Sequence, residues 1–311
     1  MKICGVVGVI CGGDSPERDV SLVSGRQVYK ALEELKTQVV LLEIKSLDDL
    51  MSELPEIDVA FICLHGGSGE DGTLQHVLDQ HAIPYAGSGP AASALAMNKV
   101  WSKAVLAKAG LPVPKARRYQ DEPITEFCKT VLNEFDLPVV LKPCNQGSSL
   151  GVQKVEDKSD LLSAAAEILD HYGSFFAEEF ICGRELTVPV LLRNGKEEPL
   201  PVIEVQYETL LLSYEAKYTK GMSEMLVPAL ISEKLTEIVQ EVCLSAHRVL
   251  GCFGFSRVDV MLDNKNTPYI LEVNTLPGMT PMSAFAESAA VVGISFCNLV
   301  QAMLLTAFEK A

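Results

Sequence analysis

The sequence predicts a mixed chain: an open parallel α/β domain at the N-terminus, followed by a half of α+β character built on antiparallel sheets. Three observations carry this. Apolar, β-branched runs at 2–11, 39–44 and 58–64 alternate with helical patterns at 19–36 and 72–80, the signature of a parallel sheet wound by helices. From residue 138 onward, runs at 138–142, 151–155, 175–180, 185–192, 200–206, 257–262 and 268–274 follow one another, several across short turns, which predicts antiparallel sheets. Helical patterns near 159–170 and 232–250 separate these strands into groups.

Between the halves a helix is predicted over 91–109, stopped by Gly110, and LPVPKARRYQ after it reads as a Pro-stiffened linker. The expected organisation is therefore a first domain ending near residue 95 and a second half beyond the linker. A length of 311 residues with 48% hydrophobic composition supplies a sizeable core in each. The opening MKICGVVGVICGG reads as a first buried strand, because it lacks a small-x-small cleavage site and runs into Gly-Gly-Asp.

Charge and cysteine content narrow the function. A net charge of −15 argues against a general nucleic-acid or anionic-membrane surface, although local lysines and arginines still suffice for a phosphate. Nine cysteines without a C-x-x-C pair read as small buried hydrophobes in a reducing cytosol. No stretch approaches the 18 or more apolar residues of a membrane span.

The strongest constellation is SRVDVMLDNKNTPYILEVN, residues 256–274. Two period-2 strands flank a polar connection, and folding them symmetrically sets Asp259 opposite Glu272 and Arg257 opposite Asn274, all on one face. Two carboxylates and an amide oxygen suit Mg²⁺, with the guanidinium placed for developing negative charge. The bland alternative, a solvated face of ion pairs, accounts poorly for three acceptors and one guanidinium clustered together.

Other motifs leave two readings open. In LKPCNQGSSLGV (141–152) a strand lysine precedes a Gly-Ser-Ser-x-Gly turn, which serves either as a phosphate grip or as an ordinary turn. CGGDSPERDVSLVSG opens a helix after strand one, where Glu17 suits an ammonium group or simply the first helical turn. CLHGGSGEDGTLQ (63–75) follows a strand at the edge where open sheets bind ligands, and His65 there is a ligand, a base or a structural hydrogen-bonding residue. SYEAKYTKGM (213–222) reads as a lid over a charged ligand or as a surface loop.

Taken in order, GGDSPERDVSLVSG, LHGGSGEDGTLQ, MNKVWSK, LKPCNQGSSLGV, YEAKYTKG, GFSRVDVM and ILEVNTLPGMTPMS resemble the D-alanine:D-alanine ligases of the ATP-grasp superfamily, over nearly the whole chain. The resemblance implies, after the α/β domain of 1–95, an ATP-grasp fold of two α+β subdomains, 96–183 and 184–311. It implies ATP-dependent joining of two D-alanines through a D-alanyl phosphate, for peptidoglycan precursor synthesis in the cytoplasm. It also implies two Mg²⁺ ions, with Mn²⁺ as the alternative, and a homodimer with no nucleic-acid or membrane partner.

Residue by residue, the resemblance assigns Lys99, Lys142, Ser149 and Lys217 to the nucleotide phosphates, Glu178, Glu179 and Ile181 to the adenine hinge, and Glu185 to the ribose. Asp259, Glu272 and Asn274 match the metal ligands. Arg257 and the Gly278 N–H match the oxyanion stabilisers, Glu17 and His65 the first substrate's site, and Ser283 the second substrate's carboxylate. Ser148 and Tyr218 complete a hydrogen-bonded set with Glu17. The chain departs from the family at Leu212-Ser213, Asn98, Pro281 and Met282, positions that touch lid packing and substrate affinity. A different carboxylate–amine ligase of the same superfamily, joining D-lactate or another D-amino acid, is the alternative.

Overall fold

The computed structural model describes residues 5–147, 149–207 and 223–309. In the first sheet β1 (Val7–Gly12) lies between β2 (Val39–Ile44) and β3 (Val59–Ile62), all parallel. Every residue of β1 is buried, as a central parallel strand covered on both faces requires. Around this sheet pack α1 (Arg18–Glu34), α2 (Leu47–Glu53), and the shorter α3 (Gly67–Glu70) and α4 (Thr73–Gln80).

The helix expected over 91–109 is two helices, α5 (Pro90–Met97) and α6 (Lys99–Lys108). Asn98 between them adopts φ −79°, ψ 97°, and its side chain accepts the Trp101 N–H at 3.0 Å. A short polar side chain that caps the following helix competes with continuation of the preceding one. The break lets α6 start afresh with Lys99 in its first turn.

The second sheet has the order β4 (Ala116–Arg118), β7 (Phe175–Glu179), β5 (Val139–Pro143), β6 (Gln153–Val155), antiparallel throughout. The stretch expected as a linker thus holds an edge strand, β4, which forms because β7 offers it a partner. Helices α7 (Ile124–Glu134) and α8 (Leu161–Tyr172) cover one face. Tyr119 stacks on Phe175 at 5.0 Å, and Phe127 meets Phe175 edge-on at 5.1 Å.

The third sheet runs β11 (Ser223–Leu226), β10 (Ile203–Tyr207), β8 (Gly183–Arg193), β12 (Phe255–Asp263), β13 (Pro268–Asn274), with β9 (Lys196–Pro199) also on β8. Its apolar face packs on α9 (Glu233–Val249) and on α5 and α6. The last helices, α10 (Ala284–Val291) and α11 (Phe296–Leu305), return to the N-terminal sheet. Their Phe285, Leu299 and Met303 join Val9, Leu64 and Leu32 in one core, so the C-terminal end closes the N-terminal sheet. The segment Leu276–Met279 is thereby held against the first domain. Among the described residues no single helix is long and apolar enough to cross a membrane.

Candidate active site

The β12–β13 hairpin adopts the register expected from its alternation, with Arg257 opposite Asn274 and Asp259 opposite Glu272. Beyond that pair the register shifts, because Val260 faces Ile270 and Leu271 is left over as a bulge. Bulges re-aim side chains beside functional sites. Arg257 forks onto Asp259, with Nε donating to Oδ1 at 2.8 Å and a terminal nitrogen donating to Oδ2 at 2.7 Å. Thr187 on β8 donates to the same Oδ1 at 2.6 Å. Glu272 pairs with Lys99 Nζ at 2.7 Å, and Asn274 Oδ1 accepts the Leu276 N–H at 2.9 Å.

The donor set fits a hard divalent cation. Two opposed carboxylates and an amide oxygen on one face supply only oxygen ligands, the preference of Mg²⁺. Among the described residues no three His, Cys, Asp or Glu side chains converge, so the cation would complete its shell from water and a ligand's phosphates, as Mg²⁺ usually does.

On one side of the hairpin a recess is bounded by Lys142, Ser149, Glu179, Ile181, Glu185 and Glu272. Lys142 comes from β5, and the loop after it turns with Ser149 in the left-handed region at φ 59°. A non-glycine residue held there is strained, the kind of cost that collects at ligand-binding loops. Glu178 at the back of this recess is 2% exposed and carries two ammonium groups, Lys142 on Oε1 and Lys103 at 3.0 Å from Oε2. Burial pushes the Glu178 carboxyl up, but the two lysines outweigh it and hold it below its ordinary value. For Lys99, burial pulls the ammonium down, yet the carboxylates around it, Glu272 foremost with Glu70 and Glu178, outweigh this and the net shift is upward.

On the other side Glu17, His65, Lys99, Gly147, Arg257 and Gly278 bound a second recess. Glu17 is 7% exposed and lies between two glycines, since a Cβ added to Gly66 or to Gly147 would stand 2.6 Å from its Oε2. The carboxylate therefore touches both the N-terminal domain's loop and the loop after β5. His65 engages both ring nitrogens: Nδ1 donates to the Leu276 carbonyl at 3.1 Å, and Nε2 lies 3.1 Å from Ser24 Oγ. Ser24 Oγ in turn accepts the Met279 N–H at 3.2 Å. This circuit fixes the segment bearing Gly278 to α1. A third recess reaches from Arg257 and Gly278 to Ser283, whose side chain accepts the Ala286 N–H at 3.4 Å at the start of α10.

The structure thus gathers Glu17, His65, Lys99, Lys142, Ser149, Glu178, Glu179, Ile181, Glu185, Arg257, Asp259, Glu272, Asn274, Gly278 and Ser283 around one cleft. Ser148, Lys217 and Tyr218 lie outside the described residues. Three contributors escaped the sequence reading: Thr187, Ser24 and Lys103. The spacing of Lys103 four residues after Lys99 was the one available signal, since it places both on one helical face.

Comparison with known proteins agrees with this geometry. A family model described as D-ala D-ala ligase C-terminus matches residues 105–305, and one described as D-ala D-ala ligase N-terminus matches 45–88. A D-alanine--D-alanine ligase of Desulforudis audaxviator is 43% identical over 98% of this chain and 99% of its own length. One of Halalkalibacterium halodurans is 40% identical over 98% and 99%. The crystal structure of the Bacillus anthracis ligase complexed with ATP matches with a TM-score of 0.85 at 30% identity, covering 98% of each chain. That of the VanG D-Ala:D-Ser ligase from Enterococcus faecalis matches with a TM-score of 0.84 at 26% identity, over 97% and 99%. Likeness across the whole length places this chain in the D-alanine–D-alanine ligase family, with its ATP-grasp fold.

Proposed function

We propose that this protein joins two D-alanines at the expense of ATP, forming D-alanyl-D-alanine, ADP and phosphate. The single observation that carries this is the convergence of the Arg257–Asp259–Glu272 face, the Lys142 loop and Glu17 on one cleft. A carboxylate is a poor electrophile until one oxygen becomes a leaving group. Phosphorylation of the first D-alanine solves this, and such a transfer demands alignment and charge neutralisation more than covalent help.

The parts divide along the cleft. Lys99, Lys142 and Ser149 bind the phosphates, while Glu178, Glu179, Ile181 and Glu185 take the base and ribose. Asp259, Glu272 and Asn274 would hold two Mg²⁺, or Mn²⁺, whose chemistry is to neutralise phosphate charge. Glu17 receives the first D-alanine's ammonium, with His65 beside it. Arg257 and the Gly278 N–H face the oxygen that gains charge as the second amine attacks the acyl phosphate. Ser283 at the N-terminus of α10 receives the second carboxylate, where backbone N–H groups favour an anion. Ser148, Lys217 and Tyr218 belong to the same reading as grip and lid residues. So do the cytoplasmic setting, the homodimer and the domain limits at 95 and 183.

The test is phosphate release from ATP with D-alanine, L-alanine and D-lactate in parallel. Release with D-alanine alone, giving dipeptide, is expected; release with none of the three overturns the reading. A second reading, D-alanine joined to another D-configured acceptor, draws support from the likeness to the VanG D-Ala:D-Ser ligase. D-serine in the same assay separates the two.

A further inference from the structure

Lys103 is a buried cation that the reaction as described does not use. It is 4% exposed, and its Nζ donates to the Leu271 carbonyl, that of the bulged residue, at 3.1 Å and approaches the Ile270 carbonyl at 3.5 Å. It thereby spans from α6 to β13 of the third sheet and, through Glu178, to β7 of the second. Burial lowers the Lys103 ammonium from its ordinary value, with Glu178 opposing that shift.

The two ammonium groups on Glu178 are not equivalent. Lys142 borders the recess, whereas Lys103 borders none of the three. An anion entering the recess competes with Glu178 for Lys142. Were Lys142 the sole counter-ion, its turn toward that anion would strand a buried carboxylate, among the least favourable states in a protein interior.

We propose that Lys103 is a positioning residue for nucleotide binding, the standing counter-ion of Glu178 that releases Lys142 to the phosphates. The proposal rests on the reading of this recess as a nucleotide site. Lys103 never touches the nucleotide and acts through Glu178. Replacing it should trap Lys142 on Glu178, and neutralising Glu178 should remove the trap.

The experiment is calorimetric titration of the full chain with ATP and Mg²⁺, without any amino acid, so the identity of the acceptor does not enter. Lys103→Met should weaken ATP binding at least about 10-fold, as removal of one partner of a buried charge pair does. In a Glu178→Gln background the same change should cost less than about 3-fold, since no carboxylate remains to hold Lys142. In turnover assays the KM for ATP should rise while the KM for D-alanine holds. Equal losses in both backgrounds would mean that Lys103 acts by packing, and would overturn the proposal, as would unchanged binding in the single variant. Should Lys103→Met fail to fold alone, Glu178→Gln against the double variant still decides: a 10-fold difference between them overturns it. Failure of the wild-type chain to bind ATP at all overturns the nucleotide reading itself.

Discussion

Asp259 and Glu272 face each other across the β12–β13 ladder, and the ladder slips by one residue immediately beyond them. Like charges directly opposite on a sheet are destabilising, so the fold gains nothing from this pair on its own. Arg257 and Lys99 supply the compensating charge, one to each carboxylate. The face is thus a balanced cluster of two acids and two bases at the junction of the recesses, suited to exchanging partners with a metal and a polyphosphate.

Glu272→Gln keeps the shape and removes the charge. Turnover should fall at least about 10²-fold, by analogy with loss of one preorganised transition-state contact, while the chain retains a cooperative melt. The check is steady-state phosphate release across Mg²⁺ concentrations. Near-normal turnover at saturating Mg²⁺ would remove Glu272 from the metal site.

Gly147→Ala tests the placement of Glu17. The added Cβ would stand 2.6 Å from Glu17 Oε2, the far end of a flexible side chain, so the carboxylate moves and the fold survives. A charged hydrogen bond is worth about 1.5–3 kcal/mol, so the KM for D-alanine should rise about 10- to 100-fold while calorimetric ATP binding stays within about 3-fold. An unchanged KM for D-alanine would separate Glu17 from the substrate ammonium.

Glu197→Gln addresses stability. Glu197 on β9 accepts from His247 Nε2 at 3.1 Å and from Arg248 Nε at 3.2 Å, and His247 Nδ1 lies 2.7 Å from Ser256 Oγ, beside Arg257. The His247 hydrogen bond above all holds the Glu197 carboxyl below its ordinary value, against the effect of burial. A depressed carboxyl contributes stability that is present above its unfolded pKa, about 4.3, and is lost as pH falls through the lower folded value. The variant should therefore be less stable at neutral pH, by about 1 kcal/mol once solvent screening is allowed for, and its denaturation curve should converge on that of wild type only as pH falls through the depressed folded value. A gap that stays constant into acid would assign the effect to packing.

Much of this was legible in the sequence, for physical reasons that also mark where legibility ends. Alternation with period two, and a polar connection between two runs, sufficed for the pairing of Asp259 with Glu272. The slip at Leu271 left no signature, because a bulge adds one residue without changing composition. Asn98 divides a stretch that reads as one helix, and β4 exists only because a distant strand, β7, pairs with it. Lys103 escaped because a lysine on an amphipathic helix ordinarily faces water. Its burial follows from Glu178, 75 residues away in sequence, and from a carbonyl turned out by the bulge.

Arg257→Lys separates charge from geometry. The guanidinium makes two parallel bonds to Asp259, at 2.8 and 2.7 Å, and so fixes its own plane over the face it shares with Glu272 and Asn274. Lysine keeps the positive charge but has a compact ammonium on a flexible stem, which cannot reproduce the fork. If Arg257 served only to balance Asp259, lysine would do nearly as well, because Thr187 still donates to Oδ1 at 2.6 Å. If its orientation is what meets the oxygen gaining charge in the transition state, the substitution removes a preorganised donor, a loss usually of about 10²–10³ in kcat. The second outcome is expected. Substrate affinity should change far less than turnover, since the charge developing on that oxygen is absent from the ground state. The measurement is kcat and KM for ATP and D-alanine by phosphate release, with thermal melting as the control for folding. A kcat within about 3-fold of wild type would reduce Arg257 to a counter-ion of Asp259 and leave the Gly278 N–H to stabilise the oxyanion alone.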